Sequence, residues 1–245
     1  MSQHAQLPSD PPTAPRAFQD QPVIELTGVS KLYQRHGANV QALRGLDLVV
    51  RQNEFTAIMG RSGSGKSTLL HILGLLDEEY EGTYRLDGDL VSGLSPDELA
   101  RLRNRKIGFV FQSFHLLPQL TILENAELPA LYAGRVPSAA RAAARLRLEQ
   151  MGLRQRLEHK PMELSIGQRQ RAAIARALVN EPRVLLADEP TGSLDTRTAQ
   201  EILDILHDLH RDGATVVLVT HDREVADDAE RIIHITDGQT HDGVA

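Results

Sequence analysis

The chain has 245 residues, 41% hydrophobic and 24% charged, so most of it can bury a core and wholesale disorder is excluded. It holds no cysteine, which excludes a disulfide scaffold, a thiolate zinc site and a cysteine nucleophile. A formal net charge of -6, 4% aromatics and no Trp give no support to nucleic-acid binding.

Residues 1–22 carry Pro8, Pro11, Pro12, Pro15 and Pro22 with few large apolar side chains, so they are expected to be a disordered leader. Val23-Ile24-Glu25-Leu26 and Leu46-Asp47-Leu48-Val49-Val50 alternate as half-buried strands do. Phe55 to Met59 reads as a third strand ending at a glycine-rich turn, and Leu69 to Leu76 as a helix. Ile107 to Phe111 is another strand. Residues 138–158, rich in Ala, Arg and Leu behind Pro137, read as one helix with a solvated basic face.

The last third alternates between strand and helix. Arg183 to Ala187 is a buried strand. Ala199, Ile202, Ile205, Leu206 and Leu209 follow helical spacing, with Gly213 placed to end that helix. Val216 to Val219 is a buried parallel strand, and Ile232 to Ile235 a final strand before Asp237-Gly238. The pattern implies an α/β fold with a mainly parallel core sheet and a small antiparallel β region. No apolar run approaches the ~20 residues that span a bilayer. The N-terminus shows neither a basic start nor an apolar segment, so the chain is expected to be soluble by itself and without a secretory signal.

Gly60-Arg61-Ser62-Gly63-Ser64-Gly65-Lys66-Ser67 fits G-x-x-x-x-G-K-[ST], with a strand before it and an apolar helix after it. The glycines let backbone N–H groups turn inward around a polyphosphate, and the helix adds a positive end. Lys66 is expected to reach the β- and γ-phosphates, the Ser67 hydroxyl to sit on Mg²⁺, and Thr68 to complete the cradle. Val184 to Glu189 is a strand ending in two acids, at the sheet edge where α/β proteins bind ligands. Asp188 suits Mg²⁺ and Glu189 suits a general base on the attacking water. These features point to a nucleoside triphosphatase.

Leu164-Ser165-Ile166-Gly167-Gln168 precedes that strand, followed by a helix of small residues from Arg171 to Leu178. It resembles the signature motif of ATP-binding cassette (ABC) ATPases, whose usual pattern is Leu-Ser-Gly-Gly-Gln; Ile166 departs from it. Further motifs follow in the family's order over about residues 23–240. Tyr33 sits where the family's adenine-stacking aromatic sits. Gln112, after Phe109-Val110-Phe111, matches the Q-loop, which implies catalytic and Mg²⁺ contacts. Ser193-Leu194-Asp195 matches the D-loop, and His221 the switch histidine, which implies a γ-phosphate contact.

The resemblance implies the ABC ATPase fold over 23–245, with a helical subdomain at about 113–178. It also implies a head-to-tail homodimer, in which Ser165, the Gly167 backbone and Gln168 of one subunit contact the γ-phosphate held by the other. A β-branched residue does not take positive φ easily. Ile166 is therefore expected to lie in ordinary helical or extended backbone, its side chain directed away from the nucleotide.

Gly108 to Pro118, Thr121-Ile122-Leu123-Glu124-Asn125 and Ala187 to Asp195 are similar to the lipoprotein-release and macrolide-efflux branch (LolD/MacB type). That likeness implies a peripheral ATPase on the cytoplasmic face of the bacterial inner membrane, driving a separate integral-membrane permease. The 112–125 region would form the docking groove. Its apolar Phe114, Leu116, Leu117 and Leu120 suit either a partner or plain packing. The alternative function is the same engine used for transmembrane mechanical signalling, as in the cell-division relatives. Soluble cassettes of DNA repair or translation usually carry a long coiled-coil insertion or a second cassette, and neither appears in these 245 residues, so that class is not expected.

Overall fold

The computed structural model describes residues 21–35 and 38–243; residues 1–20, most of the expected leader, lie outside them. Strands β1 (Pro22–Arg35) and β2 (Ala38–Arg51) form a long antiparallel pair. Pro22 is a strand residue, not part of a leader, and it occupies the first position, where proline is tolerated. Both strands run past the short alternating stretches expected from sequence. Register shifts between Leu26 and Leu32 bend the pair. Side chains take up the amides freed there: Gly28 N–H donates to Asp47 (2.7 Å) and Gly45 N–H to Ser30 (2.8 Å). Strands β4 (Glu81–Leu86) and β5 (Asp89–Leu90) complete a four-stranded antiparallel sheet ordered β2-β1-β4-β5.

The second sheet holds β3 (Phe55–Met59), β6 (Ile107–Val110), β7 (Val184–Asp188), β8 (Thr215–Thr220), β9 (Arg231–Thr236) and β10 (Gln239–Gly243). Its order is β10-β9-β3-β8-β7-β6, parallel throughout except for the β9–β10 hairpin. Successive side chains of its central strands enter opposite cores, as a pleated strand buried on both faces requires. Leu185, Ala187, Val216 and Leu218 pack with α3 (Ile122–Tyr132), α4 (Pro137–Gln150), α5 (Ile166–Leu178) and α6 (Thr196–Arg211). Val184, Leu186, Val217 and Val219 pack with α1 (Lys66–Leu73) and the antiparallel sheet.

Three features depart from the sequence reading. The helix expected over 138–158 stops at Gln150. Gly152, at φ 73°, donates to Glu149, and Leu153 N–H reaches back to Leu148, a paired-bond C-cap that only a left-handed residue closes. Residues 154–156 and 161–163 are short 3-10 turns. Helices α2 (Pro96–Lys106) and α3 were not foreseen, although each opens on a capping box, Ser95 with Glu98 and Thr121 with Glu124. Gly213, at φ 101°, ends α6 as its placement suggested. Among the described residues, no helix is long and apolar enough to cross a membrane.

Candidate active site

Strand register places three loop starts along one sheet edge. Met59 pairs with Thr220, and Asp188 with Val219, so Gly60, Glu189 and His221 emerge side by side. This is the carboxyl edge of the parallel strands, where α/β sheets take ligands.

The 60–68 loop is shaped by what surrounds its glycines. A Cβ on Gly60 would fall 2.4 Å from the Ile235 carbonyl, and one on Gly65, at φ 109°, 2.6 Å from the Ala42 carbonyl. The β9–β10 turn clamps the loop: Gly238 N–H donates to Ser64 O (3.0 Å), and Arg44 N–H to Gly238 O (2.9 Å). Lys66 Nζ crosses the loop to the carbonyls of Gly60 (2.6 Å) and Arg61 (3.0 Å). No side chain caps α1, so its first-turn N–H groups are available to an anion. Arg61, Ser62, Gly63 and Ser67 are exposed, and Thr68 is half-buried. The Ser64 hydroxyl is buried and finds no hydrogen-bond partner among the described residues, a donor suited to a phosphate oxygen.

Glu189 has φ 44°, a conformation that costs a non-glycine residue ~1–3 kcal/mol and that the surroundings must enforce. Its N–H donates to Val219 O (2.9 Å), and the Thr220 hydroxyl donates to its Oε2 (3.3 Å). His221 Nδ1 lies 2.6 Å from Glu189 Oε1. With a carboxylate oxygen as acceptor, the donor in this bond is the His221 Nδ1–H. Burial, together with the neighbouring Glu189, raises the Asp188 pKa, opposed by Lys66 and His71. A cation at that position would restore the charged form.

Ser67, Asp188 and Gln112 offer hydroxyl, carboxylate and amide oxygens, a hard donor set that fits Mg²⁺. Among the described residues no cluster of three or more His, Cys, Asp or Glu could hold a metal. An ion here would complete its shell with water and phosphate.

Gln112 follows β6 and packs on the loop beyond Glu189: its Nε2 lies 2.9 Å from where a Gly192 Cβ would stand. Ser193 donates from its hydroxyl to the Gln112 carbonyl (3.5 Å). Three residues missed at the sequence level hold this region. Gln170, fully buried on α5, donates to Pro190 O (2.9 Å). Arg176 donates to the carbonyls of Phe114 and His115, both at positive φ. Burial pushes the Arg176 pKa down to about 10. Asn125, also fully buried, bonds Leu117, Leu120 and Thr121. Only Asn125 carried a sequence signal, as part of the Thr121-to-Asn125 run.

The apolar residues of the 112–125 region divide. Leu116 packs on the core, Phe114 lies under the Arg169 guanidinium (5.4 Å), and Leu117 stays 47% exposed.

Within one chain the structure does not bring the signature residues to this edge. Ser165 caps α5, and Gln168 Oε1 accepts the Ser165 N–H (3.1 Å) in a capping box. Ser165 is exposed, and none of the hydrogen bonds among described residues joins it to the 60–68 loop. Ile166 is the first residue of α5, in ordinary backbone and 43% exposed. Gly167 differs: a Cβ there would meet Thr198 Cγ2 at 2.4 Å. The contrast explains why the chain departs from the pattern at 166 and keeps it at 167. Ile166→Gly is expected to change ATPase activity less than about tenfold, or ~1.4 kcal/mol of barrier. Gly167→Ala should destabilise by ~1–3 kcal/mol, since Thr198 is β-branched and bonded to Asp195. Thermal melts and steady-state turnover of the two variants check both outcomes.

Tyr33 stands apart from the sheet edge. Its hydroxyl donates to Asp77 Oδ2 (3.0 Å), and Lys31 Nζ lies over its ring, 4.9 Å from the centroid.

Residues 43–192 match the family model described as ABC transporter. The chain belongs to the ABC transporter family. A Thermotoga maritima protein described as an uncharacterized ABC transporter ATP-binding protein is 52% identical over 217 residues, 89% of this chain and 93% of that protein. The macrolide export ATP-binding/permease protein MacB of Chlorobaculum tepidum is 50% identical over 216 residues. That match takes in 88% of this chain but only 33% of MacB. The dimeric structure of MJ0796, a bacterial ABC transporter cassette, superposes with a TM-score of 0.82 at 44% identity, covering 91% of this chain and 99% of that one. A post-hydrolysis state of the same cassette bound to ADP and Pi matches at 43% identity. The chain thus carries the ATP-binding, ATP-hydrolysing cassette of an ABC transporter, with the cassette fold expected from its motifs.

Proposed function

We propose that this cassette works as a head-to-tail homodimer on the cytoplasmic face of a bacterial inner membrane, and that its Mg²⁺-dependent ATP hydrolysis drives a separate permease for efflux or lipoprotein release. The observation that carries the hydrolytic part is the Glu189–His221 pair, 2.6 Å apart beside the phosphate loop. The direction of use draws support from the likeness to MacB, whose name joins macrolide export to a permease.

In this reading the 60–68 loop and Lys66 hold the phosphate chain. Magnesium, when bound, neutralises phosphate charge, with Ser67, Asp188 and Gln112 as its protein contacts. Glu189 accepts the proton of the attacking water, and His221 orients that carboxylate through Nδ1. Ser165 and the Gly167 backbone reach the γ-phosphate of the opposite subunit. There the positive end of α5 adds to the charge stabilisation.

A cavity of about 630 Å³ lined by Arg103, Phe109, Phe111, His115, Tyr132 and Arg176 would receive the permease. It adjoins Gln112 through Phe111 and has stacked aromatics in its wall, Phe109 on Phe111 with centroids 4.0 Å apart. Tyr132 is 81% exposed at its rim. Tyr132→Asp is therefore expected to leave basal ATPase activity unchanged and abolish its stimulation by the permease in proteoliposomes. Full stimulation of that variant would remove the cavity from the docking role. Loading the same vesicles with a macrolide or a lipoprotein separates the two transport readings.

A further inference from the structure

Lys31 is 3% exposed, an unusual place for an ammonium, since removing a charge from water costs several kcal/mol unless it is well paired. It is well paired here. Nζ donates to Asp77 Oδ1 (2.7 Å) and to Glu79 O (2.6 Å). Asp77 also takes the Glu79 N–H (3.2 Å) on Oδ1 and the Tyr33 hydroxyl (3.0 Å) on Oδ2. Burial pushes the Asp77 carboxyl up, but these bonds outweigh it and hold the pKa below the usual carboxylate value.

The network grips one aromatic ring at two points. The carboxylate holds the tip of Tyr33, and the ammonium sits over the ring, where the π system attracts a cation. Turning the ring about its long axis would carry its face off the ammonium, while the hydroxyl, which lies on that axis, keeps its tip anchored to Asp77. The side chain is still half-exposed.

Both ends of the network lead to the phosphate loop. Tyr33 pairs with Val40, two residues before Ala42, whose carbonyl abuts Gly65. Asp77 lies in the segment after α1, the helix that begins at Lys66.

We propose that Lys31 and Asp77 are positioning residues for the nucleotide base: through Tyr33 they fix the plane on which adenine stacks. The inference rests on the reading of Tyr33 as the adenine-stacking ring. A buried ion pair placed only for packing would leave the phenol hydroxyl to solvent; here the carboxylate is shared between the lysine and the ring.

The test compares ATP with inorganic tripolyphosphate, which keeps the phosphate chain and lacks the nucleoside, by calorimetry on the whole chain. Tyr33→Ala should weaken ATP about tenfold, on the scale of one base–aromatic stack, and leave tripolyphosphate unchanged. Tyr33→Phe, which keeps the ring and the Lys31–Asp77 pair, and Asp77→Asn should each weaken ATP about three- to tenfold. Tripolyphosphate should again be unchanged, with KM for ATP raised and kcat preserved. The double variant should be about as weak as Asp77→Asn alone, because Tyr33→Phe removes the hydroxyl whose carboxylate partner Asp77→Asn has already replaced.

Wild-type ATP affinity in Tyr33→Phe and Asp77→Asn, with Tyr33→Ala impaired, overturns the positioning role and leaves stacking intact. Equal loss of both probes in Asp77→Asn overturns it in favour of a scaffold role. Wild-type ATP affinity in Tyr33→Ala overturns the stacking reading and this inference together. Should Asp77→Asn fail to fold, Tyr33→Phe decides alone.

Discussion

Glu189→Gln is expected to slow ATP turnover by about a hundredfold or more, at least ~2.7 kcal/mol of barrier, while ATP binding survives. Glutamine matches glutamate in shape, so the left-handed backbone at φ 44° and the loop on either side of it are kept. What changes is proton affinity. The amide oxygen can replace Oε1 as acceptor of the His221 Nδ1 proton (2.6 Å), and the amide nitrogen, in place of Oε2, can donate to the Thr220 hydroxyl oxygen (3.3 Å). The amide cannot take a proton from water. None of the loop contacts of Lys66 involves Glu189, so the phosphate cradle should be untouched. ATP held without turnover should keep two subunits together, giving an ATP-dependent dimer on gel filtration. Turnover within tenfold of wild type would remove Glu189 from the base role.

The elements of this cassette that were legible in its sequence are those whose pattern is local. Val216 to Val219 could only be a strand buried on both faces, and the structure splits its side chains between two cores. Asp195, in the D-loop pattern, proves to be the N-cap of α6. The misses have two causes. Helices α2 and α3 carried their capping boxes in plain view, but weak apolar periodicity on α2 and the interior Pro129 of α3 hid them. The fourth helix stops short of the end of the Ala-, Arg- and Leu-rich stretch because Gly152 takes the left-handed cap, a conformation most readily adopted by a residue without Cβ.

The residues that brace the site were illegible for another reason. Lys31 and Asp77 are 46 positions apart, and Gln170 and Pro190 are 20 apart. Nothing in a lone lysine or glutamine announces a partner that only tertiary folding supplies. The motifs around Lys66, Gln112, Glu189, Asp195 and His221 marked the candidate site's sheet edge, whereas its supports had to be seen.

Ser165→Arg is expected to lower turnover by more than about a hundredfold in the dimer while each chain still binds ATP with wild-type affinity. The reasoning turns on where Ser165 lies. It is exposed at the start of α5, with Gly167 against Thr198 of α6, while the phosphate loop lies against Ile235 and Ala42. A serine that served its own chain's nucleotide would have to approach that loop, and its hydrogen bonds instead close the α5 cap with Gln168. Losing the cap costs ~1 kcal/mol, too little to unfold a domain of this size. The arginine therefore leaves the monomer folded and its phosphate loop intact. In a head-to-tail dimer it stands in the seam between one subunit's α5 and the nucleotide of the other. There its bulk blocks closure, and the hydroxyl aimed at the γ-phosphate is gone. Calorimetry on dilute monomer and turnover at concentrations that favour the dimer separate the two effects. A loss of monomer ATP affinity in step with turnover would place Ser165 in its own chain's pocket, and the composite site would have to be abandoned.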